Sequence, residues 1–429
     1  MSILNNALDI NEQTRQDMNY SQFPLSGVRV IDLTRAMAGP FCTMMLGDMG
    51  AEVVKIEPPN GDETREWGPP FVGEESTYFM SVNRNKRSIV IDLRKERGLE
   101  ILLSLVRKSQ VLVENYRPGT TDKLGIGYEK LHRLNPNLIY CSVSGFGQTG
   151  PYRQKPGYDI IAFATSGMMS ITGEPGRPPV KMGVPVSDIC AGMYAAYAIA
   201  VSLFNQTLRN SLQTKTSSQT VPAKGTHIDV SMLEGQISWL THQASSFFAT
   251  GKNPEPLGSS HPSIAPYQAF KGKDGEYFIV AVGNDDLWRK FCDAIDAPAL
   301  KNDPRFGTNP TRVAHKPELE LDLSQVFSKD TATSWLEKIS NAGVPCGPIN
   351  KLDKVFTDPQ VLSRDMVIEC EHSTVGKIKQ LGIPYHFSDF DFAIRSAPPI
   401  LGQNTDEILS DLGYDKSEIS ELRSAKVVG

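Results

Sequence analysis

The chain of 429 residues has no CxxC and no HExxH. Its six cysteines (42, 141, 190, 292, 346 and 370) and seven scattered histidines offer neither a disulfide framework nor a zinc site, so no metal is expected. No GxGxxG follows the first strand, which removes the fingerprint of a nicotinamide-dinucleotide site. No uncharged apolar run reaches about eighteen residues, so no membrane span is expected. Residues 1–23 mix acids with bases and lack an apolar stretch, unlike a secretory leader or a transit peptide. The cytoplasm is the expected compartment, with the mitochondrial matrix as the alternative. Basic excess is missing as well. Lys and Arg number 44 against 49 Asp and Glu, for a net charge of −5, which argues against a nucleic-acid partner.

What is present is the composition of a soluble globular protein, 40% hydrophobic and 22% charged, at a length that favours two domains. The N-terminal half alternates strand and helix. VRVIDL (28–33), AEVVKIE (51–57), SIVIDL (88–93), QVLVENY (110–116) and NLIYCSVSG (137–145) predict strands. FCTMMLGDMG (41–50), 98–108 and 128–134 predict the helices between them. Apolar strands separated by helices imply a parallel sheet covered on both faces, the doubly wound α/β class. Ligands of such sheets sit beyond the carboxyl ends of the strands, which selects Arg35–Pro40, Glu57–Pro59 and Asn115–Gly119.

Asp188 is the leading candidate for chemistry. It stands before the small-apolar run ICAGMYAAYAIAVSLF (189–204), read as a core helix, whose first-turn amides would keep a carboxylate ionised. Upstream lie the glycine-rich turns SGFGQTGP, KPGYD and TSGMMSITGEPG, where a ligand can approach the backbone. An anionic nucleophile facing such loops suits acyl transfer, and the plain alternative is a helix cap. Arg84-Asn85-Lys86-Arg87 is either a solvated loop or a phosphate-neutralising patch. Tyr116 could flank an adenine or fill the core. Tyr158 could donate a proton or simply pack, and His261 follows a Gly/Ser turn.

Beyond the helix, 208–225 is rich in Ser, Thr and Gln and reads as a linker or surface insertion. A second unit follows, with a hairpin at KDGEYFIVAVG (273–283) and a helix near 286–295. A turn-rich return at GVPCGPIN and a terminal amphipathic helix near 406–412 complete the chain.

Taken together, LSGVRVIDLTRAMAGPF, GDMGAEVVKIEPP, NRNKRSIVIDL, VENYRPG, SGFGQTGP, GYD, VSDICAGMYA and GTHIDVSMLEG resemble the class III CoA-transferases. This is the formyl-CoA and carnitine-CoA transferase family, which also contains 2-methylacyl-CoA racemases. The likeness runs from about Leu25 to the C-terminus in unbroken order. WGPPFVGEESTYFMSVNRNK and HPSIAPYQAFKGKDG are most like the succinyl-CoA:glutarate (hydroxymethylglutarate) branch.

The resemblance implies that Asp188 is the nucleophile. It implies that Ile91, Arg94, Asn115, Tyr116 and Lys123 contact coenzyme A, and that Arg35, Met37 and Ala38 border the thioester. Tyr158 matches a site tyrosine of the transferases where the racemases carry histidine, and the racemase glutamate near Lys271 is missing. GSSHPS replaces the glycine run of the formyl-CoA enzymes. His261, Lys271 and Arg35 are candidates for an acceptor's far carboxylate. The implied reaction moves CoA from a donor acyl-CoA, succinyl-CoA foremost, to a dicarboxylate such as glutarate, hydroxymethylglutarate or itaconate, through an aspartyl anhydride and an aspartyl-CoA thioester. CoA is then a substrate, with no tightly bound cofactor. A racemase or a non-catalytic acyl-CoA binder is the alternative. The expected assembly is an interlocked homodimer. The expected layout is a large domain over 24–206, a linker over 207–225, a small α+β domain over 226–330 and a return segment over 331–429 that completes the large domain.

Overall fold

The computed structural model describes residues 23–213 and 224–429. The chain divides into two units. The first comprises residues up to Ser166, Gly183–Trp239 and Asp365–Gly429; the second comprises Gly167–Met182 and Leu240–Arg364. This differs from the expected layout in three places. The second unit includes 167–182, its main stretch begins at 240 instead of 226, and the chain returns to the first unit at 365 instead of 331.

In the first unit, β1 (Arg29–Asp32) leads into helix α1 (Ala38–Asp48) and then β2 (Glu52–Glu57). β3 (Lys86–Val90), α2 (Glu96–Arg107), β4 (Val111–Glu114), α3 (Tyr128–Leu134) and β5 (Ile139–Ser144) follow. After α4 (Asp159–Thr165) comes the long helix α5 (Val186–Gln213), then β6 (Thr226–Ser231) and α6 (Met232–Ser238). Six strands form one sheet in the order β3-β2-β1-β4-β5-β6, and every pairing in it is parallel. The doubly wound α/β expectation therefore holds for this unit. Because side chains alternate along a strand, Val30, Val53, Val111 and Ile139 face α1 and α5. Their neighbours Ile31, Val54, Leu112 and Tyr140 face α2 and the C-terminal residues Ile408 and Leu422. The strand order reverses between β1 and β4, and the crevice at their carboxyl ends is where such a sheet accepts a ligand.

The predicted linker begins inside secondary structure: α5 runs on to Gln213, and the rest of that stretch, 214–223, lies outside the described residues. Thr226–Ser231 pairs with β5 and so belongs to the large sheet, not to the small domain expected from 226. Val186–Ser211 is long and apolar enough to cross a bilayer by length and composition. Its inner side, with Cys190, Ala191, Ala195 and Ile199, is packed in the core. Its outer side is not: Tyr197 is 71% and Phe204 64% exposed, so the run predicted as a core helix is amphipathic.

The second unit is built on a hairpin of β7 (Tyr267–Lys271) and β8 (Tyr277–Ala281), so the hairpin predicted over 273–283 starts too late and holds only its turn and second strand; α7 (Asp285–Ala294) follows, and β9 (Cys346–Pro348) is the third strand of the sheet. Its core gathers Phe270, Phe278, Trp288, Phe291, Phe327 and Trp335. Back in the first unit, helices over Thr405–Leu412 and Lys416–Ser424 close the chain; the second of these was not legible in the sequence pattern.

Candidate active site

The turn from β1 into α1 is held from below by buried charge. Asp32 accepts the Thr34 N–H at 2.9 Å and hydroxyl at 2.5 Å, and the Thr43 hydroxyl at 2.7 Å. Burial alone would raise its carboxyl, yet Lys86 and Lys55 hold it at about 2. Lys86 Nζ lies 3.0 Å from Asp32 and also donates to Pro40 O at 3.0 Å and to Asn83 at 2.9 Å. Arg84 pairs with Asp48 at 2.7 Å, Asn85 donates to the same carboxylate at 2.8 Å, and Arg87 engages Glu52 at 2.6 Å. The basic cluster Arg84–Arg87 is thus neither a solvated loop nor a phosphate patch. Its charges are spent on joining β3 to α1 and β2. Glu57 is likewise committed, to Arg65 at 2.7 Å and to the Ser88 hydroxyl at 2.6 Å, which leaves it unavailable to a ribose.

Above this layer the switch point is closed by one reciprocal clasp. Asn115 accepts the Arg35 N–H at 2.9 Å and donates to Arg35 O at 2.8 Å. The Arg35 guanidinium lies 5.8 Å from the centre of the Tyr116 ring. Tyr116, Ile91 and Arg94 line one cleft of about 430 Å³, together with Pro58, Asn60 and Leu124. Lys123 is exposed immediately before Leu124. Arg94 is paired with Asp92 at 2.9 Å, but its side chain is 76% exposed, so one edge of the guanidinium faces solvent. Of the five residues expected to contact CoA, Ile91, Arg94 and Tyr116 line this cleft, while Asn115 clasps the Arg35 loop and Lys123 only precedes the lining residue Leu124. Met37 and Ala38 are buried at the start of α1, where no side chain caps the helix.

α5 begins at Val186, so Asp188 lies within its first turn and is not its cap. One turn later Gly192 meets α1. A Cβ there would stand 2.6 Å from Ala38 O and 3.1 Å from the Phe41 ring, so only glycine lets the two helices touch. This contact brings the helix bearing Asp188 against the helix start bearing Met37 and Ala38. Burial, reinforced by Asp159, pushes the Asp188 carboxyl up to about 7. Desolvation and the like charge of Asp159 thus act against the ionised form that the helix start was expected to favour.

Asp159 was not singled out in the sequence. It stands at the first position of α4, beside Tyr158, and accepts the Ser187 N–H at 2.8 Å, while the Ser187 hydroxyl donates to Asp159 O at 3.1 Å. Tyr158 itself is 62% exposed. The loops that place this pair cross at Gly145 and Gly157, where a Cβ on either glycine would lie 2.5–2.6 Å from the other's Cα. Tyr78 was also missed. Its phenol is pushed up to about 12 by burial and by the charges of Asp188, Asp159 and Asp62, so it stays a neutral donor. No motif flags it; only the fold brings it to the acids. Glu114, raised to about 7 mainly by burial, accepts the Tyr116 N–H at 2.8 Å and steadies the strand end under the cleft.

His261 and Lys271 belong to the second unit. His261 stacks with His242 at 6.1 Å and accepts the Ser263 N–H at 3.1 Å. Burial, His242 and Lys316 lower its pKa and favour the neutral ring. Lys271 is exposed, 5.6 Å from the centre of the Tyr277 ring.

A parallel sheet with a ligand crevice at its switch point, and a half-buried carboxylate in the first turn of a neighbouring helix, suit an α/β group-transfer enzyme. The chain belongs to CoA-transferase family III, which its residues 25–405 match. It is 44% identical over 416 residues to the succinyl-CoA:glutarate CoA-transferase of Homo sapiens, covering 96% of this chain and 92% of that one. It is 40% identical over 403 residues to the succinate–glutarate CoA-transferase of Agrobacterium fabrum, covering 92% and 97%. A CAIB/BAIF family protein of Brucella suis superposes with a TM-score of 0.79 at 40% identity, covering 91% of this chain and 99% of that structure. The protein is a CoA-transferase, with CoA carried as substrate.

Proposed function

We propose that this enzyme moves CoA from succinyl-CoA to a dicarboxylate such as glutarate, hydroxymethylglutarate or itaconate, with Asp188 as the covalent carrier. The observation that carries the reading is the half-buried Asp188 carboxylate in the first turn of α5, beside the helix start at the switch point. The names of the human and bacterial relatives support the donor and the acceptor class.

In the ionised form, an Asp188 oxygen attacks the thioester carbonyl carbon of succinyl-CoA, and the C–S bond breaks to give a mixed anhydride and CoA thiolate. The thiolate attacks the Asp188 carbonyl carbon, releasing succinate and leaving an aspartyl-CoA thioester. The acceptor carboxylate attacks that thioester and the steps reverse, ending in the new acyl-CoA and free Asp188. Each stage exchanges a carboxylate and a thiolate on an acyl carbon, so no net hydrolysis occurs. Burial serves this route twice: it strips water from the nucleophile and protects the anhydride from hydrolysis. The cleft bordered by Ile91, Arg94 and Tyr116 would hold the nucleotide end of CoA, with the open edge of Arg94 toward phosphate.

We assign the exposed stripe of α5 (Met193, Tyr197, Val201, Phe204 and Leu208) to a second copy of the chain in an interlocked homodimer. The cytoplasm is the proposed compartment.

Peptide mass spectrometry of enzyme mixed with succinyl-CoA tests the assignment. A CoA adduct on the Asp188 peptide, converted to a hydroxamate by hydroxylamine, is the expected result. Exchange of the acyl α-proton with deuterium and no adduct would assign Asp188 to proton transfer instead, a role its pKa near 7 also suits.

A further inference from the structure

The turn between β1 and α1 contains one residue in an unfavourable backbone conformation. Ala36 has φ of 63°, a left-handed value that a side chain resists. Something must hold it there, and the contacts around it name the device. The Ala36 N–H points to Asp62 Oδ1 at 3.4 Å. Asp62 Oδ2 is 2.9 Å from Lys55 Nζ, and the same ammonium donates to Thr34 O at 2.8 Å. Lys55 and Asp62 therefore grip the turn at both Thr34 and Ala36. Both side chains are buried, with 0% and 1% exposure.

We propose that the buried Lys55–Asp62 ion pair is a positioning device for CoA transfer, holding the left-handed turn at Ala36 that sets where Met37 and Ala38 lie against the helix of Asp188. The inference rests on the assignment of Asp188. Its physical motive is that a buried ion pair is a poor way to gain stability, since neutral residues of similar volume fill such a site about as well. What neutral residues do not supply is the two-point electrostatic grip on Thr34 and Ala36. The effect of losing that grip falls on the turn and not on the cleft. The segment from Glu57 to Asp62 that walls the cleft is anchored separately, through the Asp62 N–H to Glu57 at 3.0 Å and the two bonds from Arg65 to Glu57 at 2.7–2.8 Å. A shift confined to the Met37–Ala38 end misplaces reacting groups while leaving CoA binding intact, and small misplacements are enough to slow chemistry strongly.

The test is the paired substitution Lys55→Met with Asp62→Asn, which removes both charges and the bond to Thr34 O and leaves Thr64 and Ala36 only a neutral acceptor. The expected result is a protein melting within a few degrees of the parent, with KM for succinyl-CoA changed less than about twofold and kcat lowered by about tenfold or more. Adding Ala36→Gly, which relieves the left-handed strain, should recover at least about a third of the lost turnover. Parental kcat in the paired variant overturns the proposal. So does a deficit that Ala36→Gly leaves unchanged, or a fall in kcat matched by an equal rise in KM. If the paired variant does not fold, Lys55→Leu with Asp62→Asn, which likewise ends the donation to Thr34 O, carries the same expectation and the same rescue. The hydroxylamine-trapped Asp188 peptide is measured on the parent enzyme in the same series. Its absence overturns the Asp188 assignment itself, whatever the variants do.

Discussion

The carboxylate of Asp159 accepts the N–H of Ser187 at 2.8 Å, so two acids, Asp159 and Asp188, are tied into one short segment. Asp159 thereby both anchors the start of α5 and contributes to raising the pKa of its neighbour.

Asp159→Asn keeps an acceptor for Ser187 but removes the charge. The rate of adduct formation with succinyl-CoA, followed in single turnovers against pH, should rise through a midpoint near 7 in the parent. The variant's midpoint should fall by up to about one unit. An unmoved midpoint would mean that burial alone sets the Asp188 value.

Asp188 also leaves a mark on stability. Between its ordinary value of 3.8 and its folded value of about 7, the folded chain holds the proton that the unfolded chain releases. Folding therefore loses stability as pH rises through that window. Asp188→Asn removes the penalty. It should be more stable than the parent at pH 8, by about 1–4 kcal/mol, and nearly equal to it at pH 4, as read by denaturant titration.

Gly192→Ala forces a methyl group to within 2.6 Å of Ala38 O. The two helices must part, at a cost of about 1–3 kcal/mol. Turnover should fall with it, because the parted surfaces carry Asp188 on one side and Met37 and Ala38 on the other. Thermal unfolding and steady-state rates check both halves. A variant of normal stability and normal rate would remove this contact from the account of the site.

Tyr197→Glu with Phe204→Glu places two charges on the outer stripe of α5 without touching its packed side. If the stripe covers a second chain, light scattering should show the parent as a dimer and the variant as largely monomeric at micromolar concentration. A parent that is monomeric, or a variant still fully dimeric, removes the stripe from the interface.

Much of the first unit was legible because strand and helix periodicities are local. Val30 and Ile31 announce opposite faces of a sheet, and Asp188 stands out against an apolar run. What escaped was what depends on distance in space. Tyr78 and Asp159 carry no motif and become neighbours of Asp188 through folding alone. Arg84–Arg87 reads as a surface patch until Asp48, Asp32 and Glu52 are seen to meet it. Composition hid the exposed side of α5, since its apolar residues read the same whether they face a core or solvent. The unit boundary near 364 has no linker chemistry to mark it.

The crossing of Gly145 and Gly157 gives the site its finest tolerance. Two stretches of main chain lie in contact where side chains would ordinarily keep them apart, and Tyr158 and Asp159 follow at once. The register of both residues is thus written in the absence of atoms. A larger residue at either glycine cannot be offset by trimming a neighbour, because what it would displace is the backbone of the other loop.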